Sequence, residues 1–497
     1  MEEENKSTSY GNIFKTTFLF GFVQLFKAVI SIIKNKLVAI LIGPEGMGLL
    51  GIFNSTIQVI QTGAGLGVNQ SAVRDIAEAN GENDKLKVSR IISITNRVVL
   101  YTGAIGCMIT LILSKKISEW TLGDTEHTIS YCVLSLVVIL NIINEGKQSI
   151  LKGMRRLRHL AYASLIGTSV SLFTAITLYY FFGTKGIVPE LLIAAIIAVI
   201  VSQWFVRKIP VLNVKLSFRQ IIQGATPMVK MGVALMFVTF LGTAVSFAVN
   251  AYIRQKGGLI DVGFFSAGSY ILSGYFGIIV TALTTDYYPR IAAVNQDNEK
   301  LQDELNKQSL ATVVLCCPLI VIFIALMPLF IRILYSDDFL PALDYLKFGI
   351  YWTIITLCSN QVDMILVAKY NTKAFMLISV LIRTIQLVMC IGLYEIWGLF
   401  GLGVSYALLG LLHLIIMTTI VWRLYNIHFS MDFVRVAIVA LALTISSSLV
   451  AIIDNDIIKY GLACILIIIS VYFSNFKIKS ILGINIITVI KNKFIRK

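Results

Sequence analysis

The chain has 497 residues, of which 57% are hydrophobic and 14% charged, with a formal net charge of +15. Soluble proteins carry about 45 to 50% apolar and about 25% charged residues, so a string of soluble domains is excluded and an integral membrane protein is indicated. Mean hydropathy of +0.82 agrees.

Apolar runs of about 18 residues or more with few charges read as spanning helices, and about fourteen recur along the chain. In the first half they cover 13–41, 46–68, 91–114, 129–146, 160–182, 186–206 and 227–252. In the second half they cover 262–285, 309–335, 344–368, 373–394, 399–425, 434–452 and 457–474. The N-terminus, Met1-Glu2-Glu3-Glu4, lacks the basic region of a secretory signal. With that end placed inside, Lys and Arg concentrate in the inner connections, as the positive-inside rule requires, and an even number of spans returns the C-terminus to the same side. Basic runs such as Lys152 to Arg158 and Lys491 to Lys497 then face anionic headgroups, so nucleic acid is not needed to explain them. The tail 480–497 reads as a short amphipathic helix on the membrane surface. Trp120, Trp204, Trp397 and Trp422 fall near span ends, where interfacial anchors belong.

An internal repeat organises these spans. A shift of 215 positions superposes Gly46 to Leu50 on Asp261 to Phe265, and Ile76, Ala77, Asn80 and Asn83 on Ile291, Ala292, Asn295 and Asn298. Each copy holds six spans, an even number, so both enter the membrane in the same orientation. The expected architecture is an all-α polytopic membrane protein. It has two six-helix lobes related by a pseudo-twofold axis along the membrane normal, residues 1–220 and 221–428. Residues 429–497 add two peripheral helices and a basic tail. Two such lobes can rock about a central cavity and open it to either side in turn.

Charges inside a membrane cost about 2.5 to 3.5 kcal/mol each on insertion scales and mark function. Gln24, Lys27, Ser31 and Lys34 follow helical spacing along one stripe of the first span, as do Asn54, Gln58 and Gln61 in the second. Further stripes are Asn141, Asn144, Glu145 and Gln148; Thr239, Thr243, Ser246, Asn250 and Arg254; Thr356, Asn360 and Asp363; and Ser379, Arg383 and Gln386. They predict a wet, hydrogen-bonding lumen. Its charge is net basic: Lys27, Lys34, Lys36, Arg97, Lys230, Lys347 and Arg383 stand against Glu145, Asp286 and Asp363 as the clear acids. The cargo should therefore be anionic. For Lys36, Arg97, Lys230 and Lys347, near span ends, snorkelling to the headgroups is an equal reading; Lys27 and Arg383 sit deepest.

Catalytic patterns are missing from the sequence. There is no phosphate-binding Gly-x4-Gly-Lys-Ser/Thr loop and no Gly-x-Ser-x-Gly elbow, and His127, His159, His413 and His428 have no metal-ligand spacing. The Gly63 to Gly67 run ends a membrane helix with no strand before it, which suits close helix packing. Cys107, Cys132, Cys316, Cys317, Cys358, Cys390 and Cys464 lie inside apolar spans and read as small buried hydrophobes. Transport is favoured over chemistry, with no cofactor and no metal.

The segment Asn35-Lys36-Leu37-Val38-Ala39-Ile40-Leu41-Ile42-Gly43-Pro44-Glu45-Gly46-Met47-Gly48-Leu49-Leu50-Gly51 resembles the first-span exit of bacterial lipid-linked oligosaccharide flippases. These are the O-antigen and enterobacterial-common-antigen translocases of the polysaccharide branch of the MOP superfamily. Val262 to Phe265, Tyr288 to Ile291, Tyr335 to Phe339 and Val367 to Lys369 are similar as well, so the resemblance covers roughly residues 12 to 425. The two last spans exceed the twelve usual in that branch. The resemblance implies a flippase that carries an undecaprenyl-diphosphate-linked oligosaccharide from the inner to the outer leaflet of a bacterial inner membrane, and two lobes in one chain make a monomer sufficient. For such a cargo the polar stripes offer Lys27, Lys34 and Arg383, then Arg254, to the diphosphate, where charge-assisted bonds suit the oxygens, and Asn54, Gln58, Asn250 and Asn360 to the glycan. Asp363 or Glu145 would carry a coupling proton or sodium ion, with a structural ion pair as the equal alternative. Two rivals stand. A multidrug exporter of the same superfamily serves organic cations, which a basic lumen repels. A membrane polysaccharide polymerase or ligase is expected to carry a large outer loop, whereas the longest here is 115–128.

Overall fold

The computed structural model describes the backbone of residues 2–82, 84–212, 214, 216–278 and 287–482, and side chains from Val23 onward apart from residues 24, 25 and 480–482. Gln24, Asn83, Asp286 and the tail beyond residue 482 lie outside the described side chains.

Ten described helices are long and apolar enough to cross a membrane, and four of them are each broken in two by one left-handed glycine, which accounts for the fourteen expected segments. The breaks are Gly43 (φ 63, ψ −174), Gly183 (φ 54, ψ −134), Gly258 (φ 85, ψ −179) and Gly398 (φ 58, ψ −137). Such dihedrals are essentially closed to residues with a Cβ, so glycine at these points lets one apolar helix fold back as the next. Pro44 follows the first break, where its fixed φ and missing N–H suit the first helical position.

In chain order the helices are α1 (2–42), α2 (44–65), the short α3 (Val68–Gly81), α4 (Lys85–Leu122), α5 (Thr128–Gly153), α6 (Leu157–Phe182), α7 (Ile187–Val206), α8 (218–257) and α9 (259–278). There follow the short α10 (Tyr287–Ala293), α11 (Asn298–Ala325), the short α12 (Met327–Leu334), α13 (Leu343–Ala368), α14 (372–397), α15 (399–425), α16 (Met431–Val450) and α17 (Asp456–Leu482).

The 215-residue repeat is present in the backbone. Gly43 pairs with Gly258 and Gly183 with Gly398, and α13 has the bounds of α5 shifted by that amount. The turns that follow these two helices are the same turn. After α5, Arg155 is left-handed, Arg155 N–H donates to Lys152 O and Arg156 N–H to Leu151 O; after α13, Tyr370 is left-handed, Tyr370 N–H donates to Val367 O and Asn371 N–H to Leu366 O. This is a Schellman closure. A non-glycine residue there costs about 1 to 2 kcal/mol, so its recurrence in both copies is a shared feature of the repeat. The stretch read from sequence as a loop after the second span is α3 in the first copy and α10 in the second, and the matched Ile76 and Ile291 are both fully buried.

Contacts divide the chain into two compact units, Met1–Gly263 with Leu334–Ser336, and Phe264–Ile333 with Asp337–Lys497. In the first unit α1 packs on α6, and α5 packs on α4 and α7. Phe53 and Tyr131 meet edge to face at 5.4 Å in its core. Gly48 on α2 and Gly263 on α9 sit at a close crossing: a Cβ on Gly48 would lie 1.9 Å from Leu259 O, and one on Gly263 would lie 2.0 Å from Pro44 O. Each contact is the 215-shifted image of the other. Gly67, at the end of the glycine-rich run, approaches Gly232 backbone in the same manner.

In the second unit α13 packs on α14 and α15. The two helices beyond the repeat, α16 and α17, lie on α11, held by an apolar cluster that includes Val314, Val321, Phe433 and Ile478. Ser447 and Ser474 hydroxyls donate to Val321 O (3.3 Å) and Val314 O (2.7 Å). Four of the seven cysteines are buried and Cys107 and Cys132 partly so, but Cys464 is exposed. That corrects the reading of all seven as buried: α17 is an outer helix and turns most of its surface outward. Trp120, Trp204, Trp397 and Trp422 are exposed at helix ends.

Candidate substrate-binding site

In the first unit the deep cations of α1 have different surroundings. Lys27 is half-buried and has no acceptor among the described residues. Lys34, two turns further on, places Nζ 2.9 Å from Glu190 Oε1 on α7 and donates to Ser171 Oγ on α6 at 2.6 Å. Ser171 Oγ in turn donates to Glu190 Oε1 (3.0 Å), and the Tyr179 hydroxyl donates to Glu190 Oε2 (3.3 Å). The Glu190 side chain is 3% exposed and that of Lys34 25%, so the lysine is the member of the pair that a ligand can reach. Glu190 is an acid that the sequence reading missed. It lies one turn into its span, where it reads as a margin residue, and its partner is 156 positions away.

Glu145 on α5 receives Gln61 Nε2 of α2 (2.7 Å) on one oxygen and Asn69 Nδ2 of α3 (2.9 Å) on the other. It has no ion pair among the described residues. The chosen stripe Asn54, Gln58 and Gln61 therefore divides: Gln61 holds Glu145, while the half-buried Asn54 and exposed Gln58 have no hydrogen bond among the described residues. Asn250 on α8 is buried, with Oδ1 unpartnered among the described residues. Arg254, a turn further, donates Nη2 to Leu122 O at 2.8 Å, and Gln255 donates to Trp120 O at 3.0 Å. Both satisfy carbonyls at the end of α4, where a cation also complements the helix dipole. Towards the span ends, Lys36 donates to Tyr335 O and Arg97 to Leu216 O, and Lys230 is exposed.

In the second unit Arg383 is half-buried in mid-helix on α14. Its Nη1 donates to Gln386 Oε1 at 2.7 Å, and it has no carboxylate partner among the described residues. Gln386 is buried and reaches the Tyr406 hydroxyl of α15 at 3.5 Å. Asp363 on α13 faces His413 on α15, with Nε2 3.3 Å from Oδ1 but not aligned as a hydrogen bond. Asn360 is exposed, whereas its neighbour Gln361 is wholly buried and binds Thr312 of α11 (2.9 Å) and Ser309. Lys347 pairs with Asp344 at the surface. No cluster of three metal-ligating side chains exists among the described residues.

The polysaccharide biosynthesis protein family matches residues 37–344, more than half of the chain. The chain belongs to that family. The "Putative O-antigen transporter" of Shigella flexneri is similar to it, 24% identical over 78% of this chain and 92% of the relative. So is the lipid III flippase of Escherichia coli strain K12, 19% identical over 77% of this chain and 91% of the relative. Among solved structures, the lipid II flippase MurJ in an inward closed conformation aligns with a TM-score of 0.66 at 16% identity, over 94% of this chain and 100% of that one. An inward-facing multidrug-resistance MATE transporter of the MOP superfamily also gives 0.66, at 14% identity, over 86% of this chain and 99% of that one. These likenesses show the MOP transporter fold.

The part matched to the polysaccharide biosynthesis family holds Glu145, Glu190 and Arg254. Lys27, Lys34, Asn360, Asp363 and Arg383 lie outside it. The deep cations thus flank the family match on both sides.

Proposed function

We propose that the chain is a flippase that moves an undecaprenyl-diphosphate-linked oligosaccharide from the cytoplasmic to the outer leaflet of the bacterial inner membrane, for O-antigen or a related surface polysaccharide. Residues 1–220 and 221–428 are its two lobes, both termini are cytoplasmic, and one chain suffices. The observation that carries this reading is the pair of deep cations, Lys27 and Arg383, that meet no carboxylate among the described residues, in a chain of the polysaccharide biosynthesis family. An unneutralised guanidinium or ammonium at membrane depth is costly unless an anion arrives to meet it, and a diphosphate offers oxygens for charge-assisted bonds. The MATE-like alternative would carry organic cations, which these side chains repel.

Lys34 and Arg254 join the diphosphate contacts, and Asn54, Gln58, Asn250 and Asn360 satisfy sugar hydroxyls. Asn250 Oδ1, buried without a donor, is suited to accept one. Glu145 is the better coupling candidate: two amides orient its carboxylate, and no resident cation occupies it among the described residues. Asp363, beside His413, is the second. The test is flipping of a fluorescent undecaprenyl-diphosphate oligosaccharide in proteoliposomes under proton or sodium gradients. Transport by the wild type and its loss in Lys27→Ala and Arg383→Ala are expected; no transport under either gradient would sink the reading.

A further inference from the structure

The network around Glu190 has the composition of a phosphate site with the anion already supplied. One buried carboxylate oxygen takes a lysine ammonium and a serine hydroxyl at 2.9 and 3.0 Å, and a tyrosine hydroxyl reaches the other. Three helices, α1, α6 and α7, contribute the members. Of the ion pair, the lysine is the open member, 25% exposed against 3% for the carboxylate, and so the one able to exchange its partner. We infer that Glu190 is an internal stand-in for the cargo's phosphate, which neutralises Lys34 in the empty carrier and yields it to the diphosphate when cargo binds. This rests on the reading of Lys34 as a diphosphate contact.

A consequence follows for protons. When the diphosphate takes Lys34, the Glu190 carboxylate stays behind, buried, with only hydroxyl donors from Ser171 and Tyr179. A buried carboxylate stripped of its cation is strongly disfavoured and takes up a proton from solvent. Lys34 of α1 and Tyr179 of α6 are the titratable groups in contact with Glu190. From α5 and from the turn Gly183–Gly186, which also pack on α7, no ion pair or hydrogen bond reaches it among the described residues. Cargo binding and proton uptake are therefore linked at this pair, and Glu190 acts as a positioning residue through Lys34.

The experiment uses the purified full chain in detergent with farnesyl diphosphate as a soluble prenyl diphosphate probe. Affinity and protons taken up are read by titration calorimetry in buffers of different ionisation heat. The probe's own ionisation cancels between wild type and Glu190→Gln. The wild type should take up more protons than Glu190→Gln, by up to one per site. Glu190→Gln, with its competitor for Lys34 neutralised, should bind about tenfold tighter. The double variant Lys34→Met/Glu190→Gln removes both members, which a fold tolerates better than the loss of one, and should bind more weakly than Glu190→Gln alone. Equal proton uptake by wild type and Glu190→Gln, or no tightening, overturns the inference and leaves the flippase reading standing. Retention of wild-type flipping with no binding difference between Glu190→Gln and the double variant does the same. A wild type that neither binds the probe nor flips the oligosaccharide overturns both.

Discussion

The two copies of the repeat share a backbone and differ in how they hold a half-buried cation. In the first, Lys34 is met by Glu190 from a neighbouring helix. The residue equivalent to Glu190 in the second copy is Ser405, which bonds Leu402 O and Cys390 and carries no charge. The second copy's deep cation, Arg383, has only a glutamine for company among the described residues, and its counterpart in the first copy is the uncharged Thr168. Duplication preserved the hairpin glycines and the Schellman turns because they set the path of the chain. Charges were free to diverge because each needs partners only on its own side. The scaffold is symmetric and the chemistry is not.

That contrast predicts opposite costs for removing the two cations. Lys34→Ala leaves Glu190 buried and unpaired, and should lower stability by about 3 kcal/mol, towards the low end for a broken buried pair because the lysine is a quarter exposed. Arg383→Ala removes a charge that meets no carboxylate among the described residues and should cost less than about 1 kcal/mol, while slowing flipping about tenfold or more through loss of a charged hydrogen bond to cargo. Unfolding in detergent and the liposome assay, run on both variants, separate the two. Equal destabilisation would break the comparison.

The glycines sharpen it from the side of symmetry. A methyl group on Gly48 or Gly263 meets a backbone oxygen at about half the usual contact distance. Gly48→Ala and Gly263→Ala should each cost about 1 to 3 kcal/mol by overpacking. At Gly43 and Gly258 the space is open and only the backbone dihedrals, positive φ with ψ near 180°, object, so alanine there should cost about 1 to 3 kcal/mol. Because each pair is related by the repeat, the two members should shift the thermal midpoint alike, in contrast to the two cations.

Much of the scaffold was legible in the sequence because it is written in local signals: apolar runs of membrane length, turn glycines and a repeat register held over 215 positions. The hairpin breaks could be anticipated from the glycines between paired runs. The site was less legible, since it depends on helix rotation and on partners far apart in the chain. Spacing placed Lys34 and Arg383 on polar stripes without showing that, among the described residues, one meets a carboxylate and the other a glutamine. Glu190 escaped for that reason. Gln361 did too: its wholly buried side chain, one residue from the exposed Asn360, is set by how α13 packs on α11, which no stripe reveals. Arg254 sits on a polar stripe, and its bond to Leu122 O at the end of α4, 132 positions away, is another partner that no stripe reveals.

The smallest expected effect lies in the connection between α4 and α5, and it separates that turn from its counterpart after α12. There Asp124 accepts from His127 Nδ1 and Glu126 N–H, both at 3.0 Å. Partial burial pushes the carboxyl up, but the hydrogen bonds and charge of His127 and the backbone donors outweigh it, so Asp124 titrates below its ordinary value. A carboxylate lowered in the folded state adds stability that is complete above the unfolded value and is lost as pH falls through the folded one. The gain should therefore hold at neutral pH and fade below about pH 4. At the equivalent place in the second copy the chain carries Phe339, wholly buried, with a guanidinium–carboxylate pair, Arg332 to Asp337, beside it. Asp124→Asn should lower the thermal midpoint slightly at pH 7 and by less at pH 3, whereas Asp337→Asn, at an exposed pair, should do little at pH 7. A midpoint difference for Asp124→Asn that persists undiminished at pH 3 would assign the effect to packing of the turn and remove charge from the account.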